Sequence, residues 1–164
     1  MLKNSTYFSR MAQKPLLRMV NIHLSHKLER NMLEFNIVFL DIPYNIHDPD
    51  KAKFEKYFIN YKHDEWENGA SFVFVDDLSI EYSLVISEDE KYEFNLIYSS
   101  KNINCYSLGN ESLLDVFVEN SHEMIMPQGI YISVKDAWLA TEDFLDNPYM
   151  PSSRIRWVTD DKID

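Results

Sequence analysis

Residues 130–157 read IYISVKDAWLATEDFLDNPYMPSSRIRW, and their punctuation spells strand, cap, helix, loop and strand in that order. Ser133 with Asp136 three residues on makes a capping box, with Asp in place of the usual Glu or Gln, and predicts that the extended run 130–132 turns into a helix at Val134. Val134, Ala137, Trp138, Thr141, Phe144 and Leu145 recur at helical spacing and give that helix one apolar face, while Lys135, Asp136, Glu142 and Asp143 face water. Pro148 ends the helix and disfavours a left-handed conformation at Asn147 before it. Pro151 keeps the next residues extended, and 154–158 alternate as a short strand does. A helix with one apolar face, closed by a strand, requires a sheet to lie on.

The middle of the chain supplies that sheet. Ile80, Tyr82, Leu84 and Ile86 alternate with Glu81, Ser83, Val85 and Ser87; after a turn at 87–90 the pattern resumes with Tyr92, Phe94, Leu96 and Tyr98. Residues 71–76, 103–108 and 114–118 read as further strands, with turns at Asn102 and at Gly109-Asn110. Upstream, 32–42 is a β-branched and aromatic run that reads as one strand ending at Pro43. Asp48-Pro49 then opens a helix, Asp as N-cap and Pro at the first helical position, with Phe54, Tyr57, Phe58 and Tyr61 as its buried stripe. KHDEWENG, residues 62–69, is a polar loop around Trp66. Strands in a run before a terminal helix predict an α+β fold: a mainly antiparallel meander, helices packed on one face, and a C-terminal helix–strand closure.

The totals fit one domain over 1–164, with a basic segment 1–30 ahead of an acidic body 31–164. Hydrophobic residues make up 45% and aromatic ones 14%, with ten Tyr and ten Phe, a composition that forms a core. Cys105 is the single cysteine, so a disulfide framework is excluded, and in its alternating apolar run it reads as a small hydrophobe. After Lys3 and Arg10 no apolar run precedes Lys14, Pro15 and Arg18, and no stretch has the length of a membrane span, so the expected location is cytoplasmic. The net charge is −11, although residues 1–30 hold six Lys and Arg against one Glu. So acidic a body repels phosphate, which argues against nucleic acid as a ligand and suits a basic protein partner, although charge at this level by itself more often serves solubility than recognition.

Familiar chemistry is missing. The three glycines, Gly69, Gly109 and Gly129, are too scattered for a phosphate-binding loop, and no nucleophile elbow is present. His23 and His26 lack companions for a metal site, and Asp48 and Asp50 lack the Gly and Glu of a calcium loop, so neither a metal nor another cofactor is expected. His63-Asp64-Glu65 and His122-Glu123 place imidazole beside carboxylate, as chance does in a chain this acidic, and leave an enzyme using His63 or His122 as one reading. Another is a non-catalytic domain whose Tyr82, Tyr92 and Tyr98 line a small-molecule pocket. For a basic protein partner, two acidic sets are candidates. One is Asp64, Glu65 and Glu67 around Trp66 as aromatic anchor; the other is Asp76, Asp77 and Glu81 with the hairpin tip Glu88, Asp89, Glu90 and Glu93.

Tyr131 through Ala137, then Asp143-Phe144-Leu145, Pro151 and Ile155-Arg156-Trp157, with Pro127 ahead of them, resemble the C-terminal signature of immunity protein family 1 of bacterial polymorphic toxin systems, which include contact-dependent growth inhibition systems. The likeness covers roughly residues 70–158 and contains no catalytic residue. It departs at 146–150, a longer loop lacking the Gly that the family carries there. The resemblance implies an inhibitor that binds one cognate toxin domain, commonly a nuclease or nucleic-acid deaminase, and covers its active site or substrate surface. As ordinary core residues, Ala137, Phe144, Pro151 and Trp157 are expected to hold the fold, while the acids before them are expected to make the contact.

Overall fold

Residues 34–39, EFNIVF, alternate strictly, and β1 (Glu34–Phe39) buries Phe35, Ile37 and Phe39 while Glu34, Asn36 and Val38 face out. The strand does not run on to Ile42. Leu40 and Asp41 both take left-handed conformations, φ 49° and 67°, the two-residue turn whose twist suits a hairpin, and the chain doubles back as β2 (Ile42–His47). Pro43 therefore lies within β2, an edge strand, where its missing N–H costs no ladder bond. The computed structural model describes residues 34–47 and 49–163. The expectations for 1–30, for the start of the 32–42 run and for Asp48 lie outside those residues.

β3 (Ala70–Val75), β4 (Glu81–Asp89), β5 (Glu93–Ser100) and β6 (Ile103–Leu108) continue the meander, β7 (Phe117–Glu119) and β8 (Ile125–Pro127) form a separate hairpin, and β9 (Arg156–Thr159) closes the chain. The main sheet has seven strands in the order β2-β1-β3-β4-β5-β6-β9, every neighbour antiparallel. The α+β architecture, an antiparallel sheet with two helices packed against it, is as the sequence predicts. The run 114–118 is shorter as a strand than expected, because 111–113 form a 3-10 turn and only 117–119 pair, with β8. Residues 128–130 also form a 3-10 turn, so of the expected extended run only Ile132 makes backbone bonds to a strand, exchanging 2.7 and 3.1 Å bonds with Phe94, while the Ile130 carbonyl accepts from the Ser107 hydroxyl of β6 at 2.7 Å.

Among the described residues, two helices cover one face. In α1 (Lys51–Ile59) the cap is Asp50, whose side chain accepts from the Ala52 N–H at 3.1 Å, two positions after the expected Asp48. In α2 (Val134–Asp146) the expected cap is present: Ser133 Oγ accepts from the Asp136 N–H at 3.2 Å and donates to its carboxylate at 2.9 Å. Asn147 has φ −151°, extended as Pro148 requires. Among the described residues no helix is long and apolar enough to cross a membrane.

The aromatic residues gather beneath these helices. Phe39 lies within 6.4 Å, ring centre to ring centre, of Phe54, Tyr57, Phe58, Trp66 and Phe72. Phe144 of α2 meets Phe35 at 6.0 Å and Tyr98 at 6.2 Å, and Lys51 pairs with Asp146 at 2.5 Å to tie the helices together. Cys105 is buried here, and burial, with a smaller effect from Asp160, pushes its thiol up to about 11. Trp157 is only half-buried, its Nε1 donating to the Ser152 carbonyl at 2.8 Å.

A second, smaller cluster of Ile130, Tyr131 and Val158, with Tyr92, Tyr106, Val118 and Met126 against it, lies under the excursion 109–131. Gly109 and Asn110 both donate to the Gly129 carbonyl, at 2.9 and 3.1 Å, and a Cβ on Gly109 would stand 1.9 Å from the Tyr131 carbonyl oxygen. Only glycine permits that approach.

Candidate protein interface at the far end of strand four

The alternation of β4 carries beyond Leu84 and Ile86 to place Glu88 on the core face, and its side chain is 2% exposed as a residue. A carboxylate so placed needs donors. Tyr61, just past α1, donates its hydroxyl to Glu88 Oε1, and His63 Nδ1 stands 2.7 and 2.9 Å from the two carboxylate oxygens. Asp89, wholly buried, accepts from the backbone N–H groups of Lys91 (2.9 Å), Tyr92 (3.1 Å) and Ser121 (2.6 Å) and from the Ser121 hydroxyl (2.8 Å). His122 Nε2 donates to the Glu88 carbonyl at 3.2 Å. The two buried acids thus fasten three segments to the end of β4: the loop after α1, the β4–β5 turn and the tip of the β7–β8 hairpin.

The electrostatics follow from those contacts. The hydrogen bond to Glu88 holds the His63 imidazole above its ordinary range against the opposing effect of burial, aided by the charges of Glu88, Glu90 and Asp64. Burial, then the hydrogen bond and charge of Glu88, push the Tyr61 phenol well up. Burial alone would raise Asp89, but the bonds from Ser121, Lys91 and Tyr92 outweigh it and hold the carboxyl below the usual carboxylate range.

The loop 62–69 is fixed at its other points too. Residues 63–65 make one 3-10 turn, which Trp66 follows into the core, 4.8 Å from Phe58, 4.9 Å from Phe94 and 5.3 Å from Phe39 between ring centres. Gly69, at φ +62°, presses on β4, where a Cβ would stand 2.3 Å from the Ile86 carbonyl oxygen. A cleft of about 300 Å³ remains between this loop and the hairpin, with Glu67, Asn68, Glu88, His122 and Met124 among its walls.

The predicted acids divide sharply. Trp66 is 0% exposed and Asp89 likewise, with Glu88 at 2%, so these three hold the fold and do not present a surface to a partner. Glu93 is exposed but accepts from the Val134 N–H at 3.1 Å and so caps α2. Asp76 accepts from the N–H groups of Leu78 and Ile80, both at 2.9 Å, and shapes the β3–β4 turn. Asp77 lies in that same turn and Glu81 opens β4, both separated from Glu90 by the length of β4, roughly 26 Å. The grouping by sequence of Asp76, Asp77 and Glu81 with the hairpin tip therefore fails; the tip belongs with the 62–67 loop. There Glu65 pairs with Lys62 at 2.9 Å, while Asp64, Glu67 and Glu90 are exposed and, among the described residues, make no side-chain hydrogen bond or ion pair.

The tyrosine pocket is also corrected. Tyr98 is buried core, its hydroxyl donating to the Pro148 carbonyl at 3.1 Å; Tyr92 packs on Tyr131 in the second cluster, and Tyr82 on Phe74 and Tyr149. Among the described residues no group of three His, Cys, Asp or Glu side chains could hold a metal ion. Reading the sequence placed Tyr61 in the stripe of α1 when it lies past the helix end and bonds Glu88, and it missed Ser121 and the exposed apolar residues of the β7–β8 hairpin. Continuing the β4 alternation two residues beyond Ile86 is the signal that would have placed Glu88 inside. Comparison with protein-family profiles, with curated proteins and with solved structures returned no match to this chain.

Proposed function

We propose that this chain is an immunity protein: a binding protein that neutralises a cognate bacterial toxin domain by covering a basic active site or substrate surface. The supporting observation is the arrangement at the end of β4. Asp64, Glu67 and Glu90 stand exposed and, among the described residues, without a side-chain partner, on segments that Trp66, Gly69 and Glu88 hold in place. Residues 62–91 hold nine Asp and Glu against two Lys, Lys62, which pairs with Glu65, and Lys91. Exposed acids on a fixed frame attract a basic surface without the cost of ordering a loop, and they exclude a phosphate-bearing substrate from the same place. The C-terminal signature described above points to the same class of partner.

Co-expression tests the proposal. The gene just upstream is expected to encode a large protein with a toxic C-terminal domain, and cells making that domain should survive only when this chain is present. Survival that does not depend on this chain, or failure of the purified chain to bind the domain, refutes it.

A further inference from the structure

The β7–β8 hairpin turns one face inward and one outward. Val118 and Met126 pack on the second core cluster, whereas Phe117 and Ile125, on the other face, are 54% and 71% exposed. Met124 beside them is 48% exposed and reaches into the cleft shared with Glu67 and His122. A strand position facing water is served as well by Thr or Lys, so apolar residues there contribute little to folding and mark a surface that a partner dries.

The setting selects the partner. Residues 102–134 contain no Lys or Arg but four acids, Glu111, Asp115, Glu119 and Glu123. Glu119 lies directly opposite Ile125 in the hairpin register, and Glu123 is exposed in the turn between the strands. Large apolar side chains ringed by charge of one sign suit a protein surface of opposite charge, the apolar group entering a pocket and the rim fixing orientation. The hairpin is firmly held: Asn120 Oδ1 accepts from the N–H groups of His122 and Met124 at 3.0 and 2.9 Å, and Asp89 and the Glu88 carbonyl bind Ser121 and His122.

We infer that the outward face of β7–β8, with Phe117 and Ile125 at its centre and Met124 leading into the cleft, is the apolar anchor of the contact with the basic toxin domain. Glu119, Glu123 and Glu67 form its charged rim. The inference rests on the toxin-binding reading and extends it from a charged patch to one continuous surface spanning the cleft.

The experiment is a binding titration of the full chain against the inactivated toxic domain encoded upstream. It uses wild type, the pair Phe117→Asp with Ile125→Asp, and the milder pair Phe117→Ser with Ile125→Thr, which keeps the measurement open if the first pair fails to fold. The folded pairs should keep the wild-type melting temperature and bind about thirty-fold more weakly or worse. Wild-type binding with both folded pairs within about threefold of it overturns the anchor and leaves the toxin reading intact. No binding by wild type overturns both.

Discussion

Glu88 shows how a single side chain serves structure where composition suggested recognition. Its carboxylate holds Tyr61 and His63, so Glu88→Ala should destabilise the protein by about 2–3 kcal/mol, read from urea denaturation, because two polar groups lose a charged partner at a buried site. Trp66→Ala should cost about 3–5 kcal/mol, the range for emptying a fully enclosed ring site. The His63 imidazole has a raised pKa in the folded chain, so its bond to Glu88 adds stability that is fully present below the ordinary value of 6.5 and disappears as pH rises through the raised value. The gap in urea midpoint between wild type and His63→Ala should therefore be wider at about pH 6 than at about pH 9; a gap that widens with pH contradicts the assignment. Asp89 works in the opposite direction, since its depressed pKa gives stability that is present above the ordinary 3.8 and lost as acid titrates through the lower value.

Among the elements, α2 was the most legible because its cap, apolar stripe and terminating proline agree; the structure returns the cap and most of the stripe, with Val134 and Trp138 only half-buried, Ala140 buried in addition, and Asp143 bonded to Ser152 and Arg154 where open water was expected. Ser133→Ala should cost about 1 kcal/mol, the usual loss for an N-cap. The β4–β5 hairpin was equally legible from alternation, although its turn comes at 90–92, a few residues later than the acidic run suggested. The β1–β2 hairpin was not legible. Its turn residues are Leu40 and Asp41; Asp tolerates the left-handed region but Leu does not favour it, and tertiary packing of Leu40 against the core stabilises a conformation that its local preference disfavours. The interface was hard to see for a related reason: acidity in sequence does not distinguish Asp64 and Glu67, which face water, from Asp89, which caps a turn inside the protein. Trp157, expected to hold the fold, is half-buried, so Trp157→Ala should cost about 1.5–3 kcal/mol in thermal or chemical unfolding, below the figure for Trp66.

At the scale of the molecule, the sheet and the two described helices form a frame that gathers three acid-bearing segments at one end. Strands β4 and β5 carry the 62–67 loop, the β4–β5 turn and the β7–β8 hairpin to one end, and there the exposed acids meet an exposed apolar face. Complementary charge across such a contact governs the association rate, and salt screens it over about 8–10 Å at ordinary ionic strength. The most direct test compares association of the wild-type chain and of the triple variant Asp64→Lys, Glu67→Lys and Glu90→Lys with the inactivated toxic domain, at low and at physiological salt. The wild type should associate quickly and slow steeply as salt rises, while the variant should associate at least about tenfold more slowly at low salt and respond little to salt. Equal rates and equal salt dependence for the two proteins would contradict a contact made through this end of the molecule.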